Sequence, residues 1–276
     1  MSLNTISAKL KITRRFLNFW RNAKSIDSVD SPLLYDLCTK IKDGELNKTH
    51  ITQIEKRREA LLTNETIINR ESLGATSTVH AHDEISISQI ARSAVSPQYK
   101  CTLLSSLIEW SGATKILELG TSLAISTSYI AMASNVDHVD TVEGSSSISA
   151  VNSQDEHSEK ILFHNQSFQS FIDVGIDKGS KYDCIVLDGH HELEPTLSYV
   201  HQFRQLLKPD GVIIMDDIYW SEGMTKAWQE LKSSQDYNLS IDLFFYGVLS
   251  MKPSIRESVD VKLWPFKSRW QLGLFR

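Results

Sequence analysis

Lys115-Ile-Leu-Glu-Leu-Gly-Thr-Ser-Leu-Ala-Ile-Ser-Thr-Ser-Tyr-Ile-Ala131 joins a short apolar strand to a helix through a turn of small residues. A helix that opens directly after a parallel strand points unpaired backbone N–H groups into the crevice at the strand's end. There they can hold a carboxylate or a phosphate. The next apolar run ends at Glu143, and an acid in that place can accept two hydrogen bonds from a ribose diol. Together these features predict a nucleotide-cofactor pocket.

Outward from this stretch the same alternation repeats. Apolar runs at 115–119, 138–143, 160–164, 182–188 and 211–216 read as strands, and helices are expected near 125–134, 147–152, 167–173, 194–207 and 221–233. Near-continuous apolar strands separated by helices imply an α/β, Rossmann-like doubly wound fold, with a parallel sheet covered on both faces and right-handed crossovers. Two later apolar runs, Ile241 to Leu249 and Trp270 to Phe275, are separated by a stretch with Pro253 and Pro265 and are expected to pair as a hairpin edge.

Ahead of this region the chain reads as helices and loops, so it divides into an N-terminal helical extension, 1–96, and an α/β domain, 97–276. Ser31-Pro32 opens one helix through Leu33, Leu34 and Leu37, and Ile51, Ile54, Leu61 and Leu62 mark another. The loop Ser72–Val79, followed by His80 and His82, reads either as a lid over a cofactor or as a plain surface connection. Ser96-Pro97 is expected to supply an N-cap and a first-turn proline to a helix whose Leu103, Leu104, Leu107 and Ile108 share a face.

A chain of 276 residues with 41% hydrophobic content can bury a substantial core. Its net charge of -5 argues against a nucleic-acid partner, because binding phosphates needs a concentrated basic surface. Cys38, Cys101 and Cys184 lie far apart without metal spacing and read as reduced thiols, with Cys184 in the core. No stretch is apolar enough to span a bilayer and no secretory signal is evident, so a cytoplasmic location is expected. Residues 1–26 carry Lys9, Lys11, Arg14, Arg15, Arg21 and Lys24 with no acid, while Leu10, Phe16, Leu17 and Trp20 fall near one helical face. Such a helix over 6–24 either rests weakly on an anionic membrane surface or packs on its own body or a second subunit. The packed reading is favoured.

The ordered motifs over residues 97–250 resemble the class I S-adenosylmethionine (SAM)-dependent methyltransferases, specifically the small-molecule O-methyltransferase branch. Leu117, Glu118, Leu119, Gly120, Thr121, Ser122 and Ser126 carry the resemblance at the first strand. A nicotinamide-dependent oxidoreductase would want Gly-x-Gly-x-x-Gly at this turn, where only Gly120 is present. The resemblance implies a mostly parallel seven-stranded sheet with an antiparallel last strand, SAM as cofactor and a small-molecule methyl acceptor. It further implies that Glu118, Gly120, Thr121, Ser122 and Ser126 surround the methionine end and that Glu143 holds the ribose. Gln166 and Ser167 would lie at the adenine. Ala124 stands where the family usually has glycine, which leaves a catalytically silent scaffold as the rival reading.

The fourth and fifth strands end in Asp188-Gly-His-His191 and Asp216-Asp217. Three carboxylates converging at adjacent strand ends repel unless something positive lies between them. By resemblance to metal-dependent catechol-type enzymes, Asp188, Asp216 and Asp217 would hold Mg²⁺, with Asp217 where the family has Asn. The favoured reading has no metal: Asp188 lies near the methionine amino group, Asp217 caps the following helix and loop N–H groups satisfy Asp216. Asp-Gly-His-His-Glu and the later Asp216-Asp-Ile-Tyr-Trp-Ser221 look like a bacterial subgroup of unassigned substrate. His190 falls where the catechol enzymes stack a side chain on adenine, and His191 where they place a catalytic lysine. Histidine has the right pKa to take a proton from a hydroxyl, so His191 and Asp188 are the candidate catalytic pair. Tyr219 and Trp220 are candidates to wall the acceptor, and Met224 and Trp228 are expected in the core. The C-terminal Trp264-Pro-Phe266 and Trp270 are candidates for a homodimer interface.

Overall fold

The computed structural model describes residues 3–25, 28–29, 31–43, 47–69, 84–155, 157–252, 255 and 257–264. In chain order the first elements are α1 (Leu3–Asn22), β1 (Lys24–Ser25), α2 (Pro32–Asp43), α3 (Lys48–Leu62), β2 (Ile67–Asn69), β3 (Glu84–Ser86) and α4 (Ile87–Ala94). The α/β region follows with α5 (Gln98–Ser111), β4 (Lys115–Leu119), α6 (Ile125–Met132), β5 (His138–Glu143), α7 (Ser146–Asn152), β6 (Ile161–Asn165) and α8 (Phe168–Asp177). It ends with β7 (Tyr182–Leu187), α9 (Leu193–Leu206), β8 (Leu207–Asp216), α10 (Glu222–Ser233), β9 (Leu239–Asp242), β10 (Tyr246–Ser250) and β11 (Val259–Trp264).

Among the described residues nine strands form one sheet, in the order β1-β11-β9-β10-β8-β7-β4-β5-β6. The seven strands from β9 to β6 in that order are the doubly wound sheet the sequence predicts. The order reverses direction at β4, so the crevice opens beside its carboxyl end. All of these pairings are parallel except those of β10, which runs antiparallel to both β8 and β9. The antiparallel strand is therefore inside the sheet and not at its margin. Beyond β9 the sheet gains β11, parallel to β9, and β1, parallel to β11. The run Ile241 to Leu249, expected to be one arm of a hairpin, instead breaks into a hairpin of its own, β9 with β10; the second run, Trp270 to Phe275, lies outside the described residues.

The extension is not purely helical. β2 and β3 pair as a short antiparallel ladder, and Ser86 at its end caps α4 in a capping box with Gln89. Helix α5 starts after Pro97 without a side-chain cap, one residue later than the expected Ser96 cap, and ends at Gly112 in a left-handed conformation. The lid candidate Ser72–Val79 with His80 and His82 lies outside the described residues.

Buried side chains gather into three clusters, and the helices before residue 97 enter all of them. Leu34, Leu37 and Cys38 of α2 pack under Leu104, Leu107 and Ile108 of α5. Leu61, Ile85 and Ile90 join Leu123, Ile125 and Tyr129 beside the turn after β4. Helix α1 lies on the body through Ile12, Phe16 and Phe19, a stripe at the i, i+4, i+7 spacing of one helical face. Leu10 and Leu17, expected on the same face as Phe16, are instead 65% and 51% exposed. Phe16 and Phe19 meet Trp264 edge-on and tilted at 5.6 and 6.4 Å, so Trp264 packs within the chain. Phe266 and Trp270 lie outside the described residues. Cys38, Cys101 and Cys184 are buried free thiols, and among the described residues no helix is long and apolar enough to cross a membrane.

Candidate active site

The turn after β4 is built from strained backbone held on all sides. Gly120 adopts φ +115°, and a Cβ on it would stand 1.9 Å from the carbonyl oxygen of Asp188, so only glycine allows the ends of β4 and β7 to approach this closely. Ser122 and Ala124 sit in the left-handed region at φ 47° and 54°, which costs a non-glycine residue free energy that its neighbours must offset. Ser122 N–H donates to Glu143 Oε2 at 2.9 Å, and Ser122 O accepts from Asn152 Nδ2 at 2.8 Å. Leu123 O accepts from Arg57 Nη1 of α3. The Ala124 methyl is fully buried.

Glu118 is fully buried below the crevice. Ser126 Oγ, Thr127 Oγ1 and Thr141 Oγ1 donate to its carboxylate at 3.0, 2.6 and 2.7 Å. Thr121 and Thr141 share a hydroxyl contact at 2.7 Å. Burial raises the Glu118 pKa to about 7 against the pull of those three hydroxyls. Its structural part is to tie the first turn of α6 to β4 and β5, and Ser126 belongs to that network here.

Glu143, at the end of β5, turns both oxygens to the turn. Oε2 holds Ser122 N–H and Oε1 holds Ser145 N–H at 2.9 Å each. Burial raises its pKa against these bonds. A carboxylate has about four lone-pair directions, so acceptors remain for a diol. Beyond it, Gln166 N–H donates to Glu143 O, and Ser167 Oγ caps α8 by accepting from Ser170 N–H at 3.2 Å. Gly120, Thr121, Ser122, Glu143, Gln166, Ser167 and Asp188 are thus brought around neighbouring strand ends, as the sequence predicts.

After β7, His190 adopts φ 50° and sets its ring against Phe168 and Tyr199 at 5.4 and 5.5 Å. Burial lowers its pKa, against the pull of Glu192. His191 Nε2 lies 3.7 Å from Asp188 Oδ1, and its Nδ1 is buried without a hydrogen-bond partner.

The three strand-end carboxylates do meet, and a cation lies between them: Lys100 of α5. Its Nζ is 2.8 Å from Asp216 and 2.7 Å from Asp217 Oδ1. Burial opposes the charge on Lys100, yet Asp216, Asp217 and Asp188 outweigh it and raise its pKa. Burial raises Asp188 to about 6, with Lys100 opposing, and raises Asp216 as well. Asp217 is lowered, because Lys100 and then His191 overcome its burial. These residues do not fit an open divalent-cation site, since the ammonium already occupies it. Among the described residues no group of three or more His, Cys, Asp or Glu side chains is arranged to hold a metal ion. Two expectations are corrected. Ser221, not Asp217, caps α10 through Met224 N–H at 2.9 Å. Asp216 is satisfied by Lys100 in addition to one loop N–H, that of Asp217.

Sequence reasoning missed Lys100. The available signal was a lysine three, four and seven positions before Leu103, Leu104 and Leu107, on the apolar face of its helix. Of the two candidate acceptor walls, Trp220 is 53% exposed. Tyr219 is not available, because it is buried, stacked on Phe244 at 5.1 Å and donating to Asp242 at 2.6 Å. Met224 and Trp228 are in the core as expected.

A family model described as a methyltransferase domain matches residues 117–218, the span from β4 to the turn after β8. Among solved structures, the chain is similar to an O-methyltransferase from Bacillus cereus in complex with SAH, at 16% identity and a TM-score of 0.50, covering 78% of this chain and 96% of that one. It is also similar to an SAH-bound methyltransferase from Podospora anserina, at 12% identity and a TM-score of 0.54, covering 79% and 94%. At such identities the likeness is one of fold. No curated protein matches the sequence. The matched span places a methyltransferase-domain match over residues 117–218, and the strand order gives the chain the Rossmann-like fold of the methyltransferase structures it is similar to.

Proposed function

We propose that the protein transfers a methyl group from SAM to an oxygen of a small molecule. The observation that carries this reading is the closed set of contacts around the turn after β4. There Glu143 holds Ser122 N–H while keeping acceptor capacity for a ribose, and Gly120 packs against Asp188 within a matched methyltransferase domain. SAM supplies an electrophilic methyl on a sulfonium. Gly120, Thr121, Ser122 and Ser126 would line its methionine end, with Glu118 fixing the helix that carries Ser126. Glu143 would hold the ribose, and Gln166, Ser167 and His190 would lie toward the adenine.

The chain's remaining task is to align an acceptor hydroxyl and take its proton, because the displacement itself needs mostly alignment. His191 is the group we assign to the proton, with Asp188 as its partner. Their 3.7 Å separation must shorten to hydrogen-bond length when the site is filled. Trp220 would wall the acceptor.

Isothermal titration with S-adenosylhomocysteine (SAH) tests the reading. Micromolar binding to the wild type, lost in Glu143→Ala, supports it. A folded wild type that does not bind SAH overturns it and leaves a methyltransferase-fold scaffold as the better description.

A further inference from the structure

Lys100 is 5% exposed, on a helix that also buries Leu103, Leu104 and Leu107, and its seat is complete. Nζ stands 2.8 Å from both Asp216 oxygens and 2.7 Å from Asp217 Oδ1. It also faces the Tyr246 ring, with 5.5 Å to the centroid, and Tyr246 OH donates back to Lys100 O at 3.2 Å. The third carboxylate, Asp188, lies close enough to the ammonium and to Asp217 to feel both charges, and its pKa is raised to about 6, chiefly by burial.

These are the oxygens a divalent ion would have to use. Mg²⁺ sits about 2.1 Å from its oxygen ligands, so bound to Asp216 and Asp217 it would fall within the space filled by Nζ. Entry of the ion therefore requires the ammonium to leave. The lysine is 5% exposed and faces the Tyr246 ring of β10, and a buried ammonium deprived of its partners is strongly disfavoured.

We propose that Lys100 is the resident cation of the Asp188–Asp216–Asp217 cluster, standing where the family resemblance would put a metal, so that this site takes no divalent ion. The charge that holds the strand ends together is supplied by the chain itself. The proposal rests on the cluster's geometry and stands apart from the cofactor reading.

The test is titration of the full chain with Mn²⁺ at pH 7.5, followed by the loss of the free-ion electron paramagnetic resonance signal, with and without SAH. SAH binding is measured on the same samples, so that failure of the methyltransferase reading is seen separately. The wild type and Lys100→Arg, which keeps the charge, are expected to bind no Mn²⁺ below millimolar concentration. Lys100→Ala is expected to gain a site at least tenfold tighter, with a melting temperature that rises with Mn²⁺. Should Lys100→Ala fail to fold, Lys100→Met combined with Asp217→Asn restores the charge balance and carries the same expectation. A wild type that binds one Mn²⁺ at micromolar concentration, abolished by Asp216→Asn, overturns the proposal. So does a folded lysine-free variant that gains no site.

Discussion

Arg57 Nη1 donates to the carbonyl oxygen of Leu123 at 2.5 Å, so a helix of the N-terminal extension holds the strand-to-helix turn from outside. The same guanidinium reaches Asp155 at 2.7 Å and Asn152 at 3.3 Å, and Asn152 in turn holds Ser122 O. The left-handed residues Ser122 and Ala124 lie between these anchors. Arg57→Ala is expected to weaken SAH binding about tenfold, or ~1.4 kcal/mol, with partial recovery in Arg57→Lys. Calorimetry on the three proteins checks this, and unchanged affinity in Arg57→Ala would separate the extension from the cofactor site.

Gly120→Ala meets a harder obstacle. The added Cβ would collide with the Asp188 carbonyl, and φ +115° is strained for any side chain. A loss of about 3 kcal/mol or more is expected, read from urea unfolding, with SAH binding lost in whatever protein folds. Gly179→Ala, at φ +65° with open space around it, serves as the comparison and should cost about 1 kcal/mol.

Glu118 gives stability a definite pH slope. Its folded pKa of about 7 lies above the ordinary 4.5, so the folded state binds the proton more tightly. The stabilisation is complete below about pH 4.5 and is lost as pH rises through about 7, a change on the order of 3 kcal/mol. Asp188, raised to about 6, acts in the same direction. Unfolding free energies measured from pH 5 to 8 should fall with rising pH, and Glu118→Gln should flatten the curve. A wild-type curve that rises over this window would show that Glu118 stays ionised in the fold.

The two stripes of α1 should respond oppositely to truncation. Phe19 is fully buried, whereas Leu17 is half exposed. Phe19→Ala is expected to cost about 3 to 4 kcal/mol and Leu17→Ala less than about 0.5 kcal/mol. Chemical denaturation of both variants checks the assignment.

Much of the α/β region could be read in advance because its information is local. Apolar runs at 115–119 and 138–143 became β4 and β5 with those bounds, and Glu143 and Asp188 stand where a strand end must place them. The errors concern side chains whose environment is decided far along the chain. Helical spacing puts Phe16 and Leu17 near each other but cannot say which one the body covers. Tyr219 sits in a loop that reads as open, yet Phe244 and Asp242 bury it. Lys100 finds its partner 116 positions away, and nothing within its own helix announces a carboxylate. The two-residue β1 is legible only through β11, which supplies the edge it pairs with.

That last pairing bears on how the molecule is made. Arg15 and the Tyr219 carbonyl it binds are 204 positions apart, and Phe16 and Phe19 rest on Phe244 and Trp264. On the ribosome α1 emerges long before any of these partners exists, so its aromatic stripe stays wet while the central strands assemble beneath it. Docking of the first helix is then among the last events of folding, and a chain halted before β11 would display Phe16 and Phe19 to whatever chaperone or protease surveys unfinished proteins.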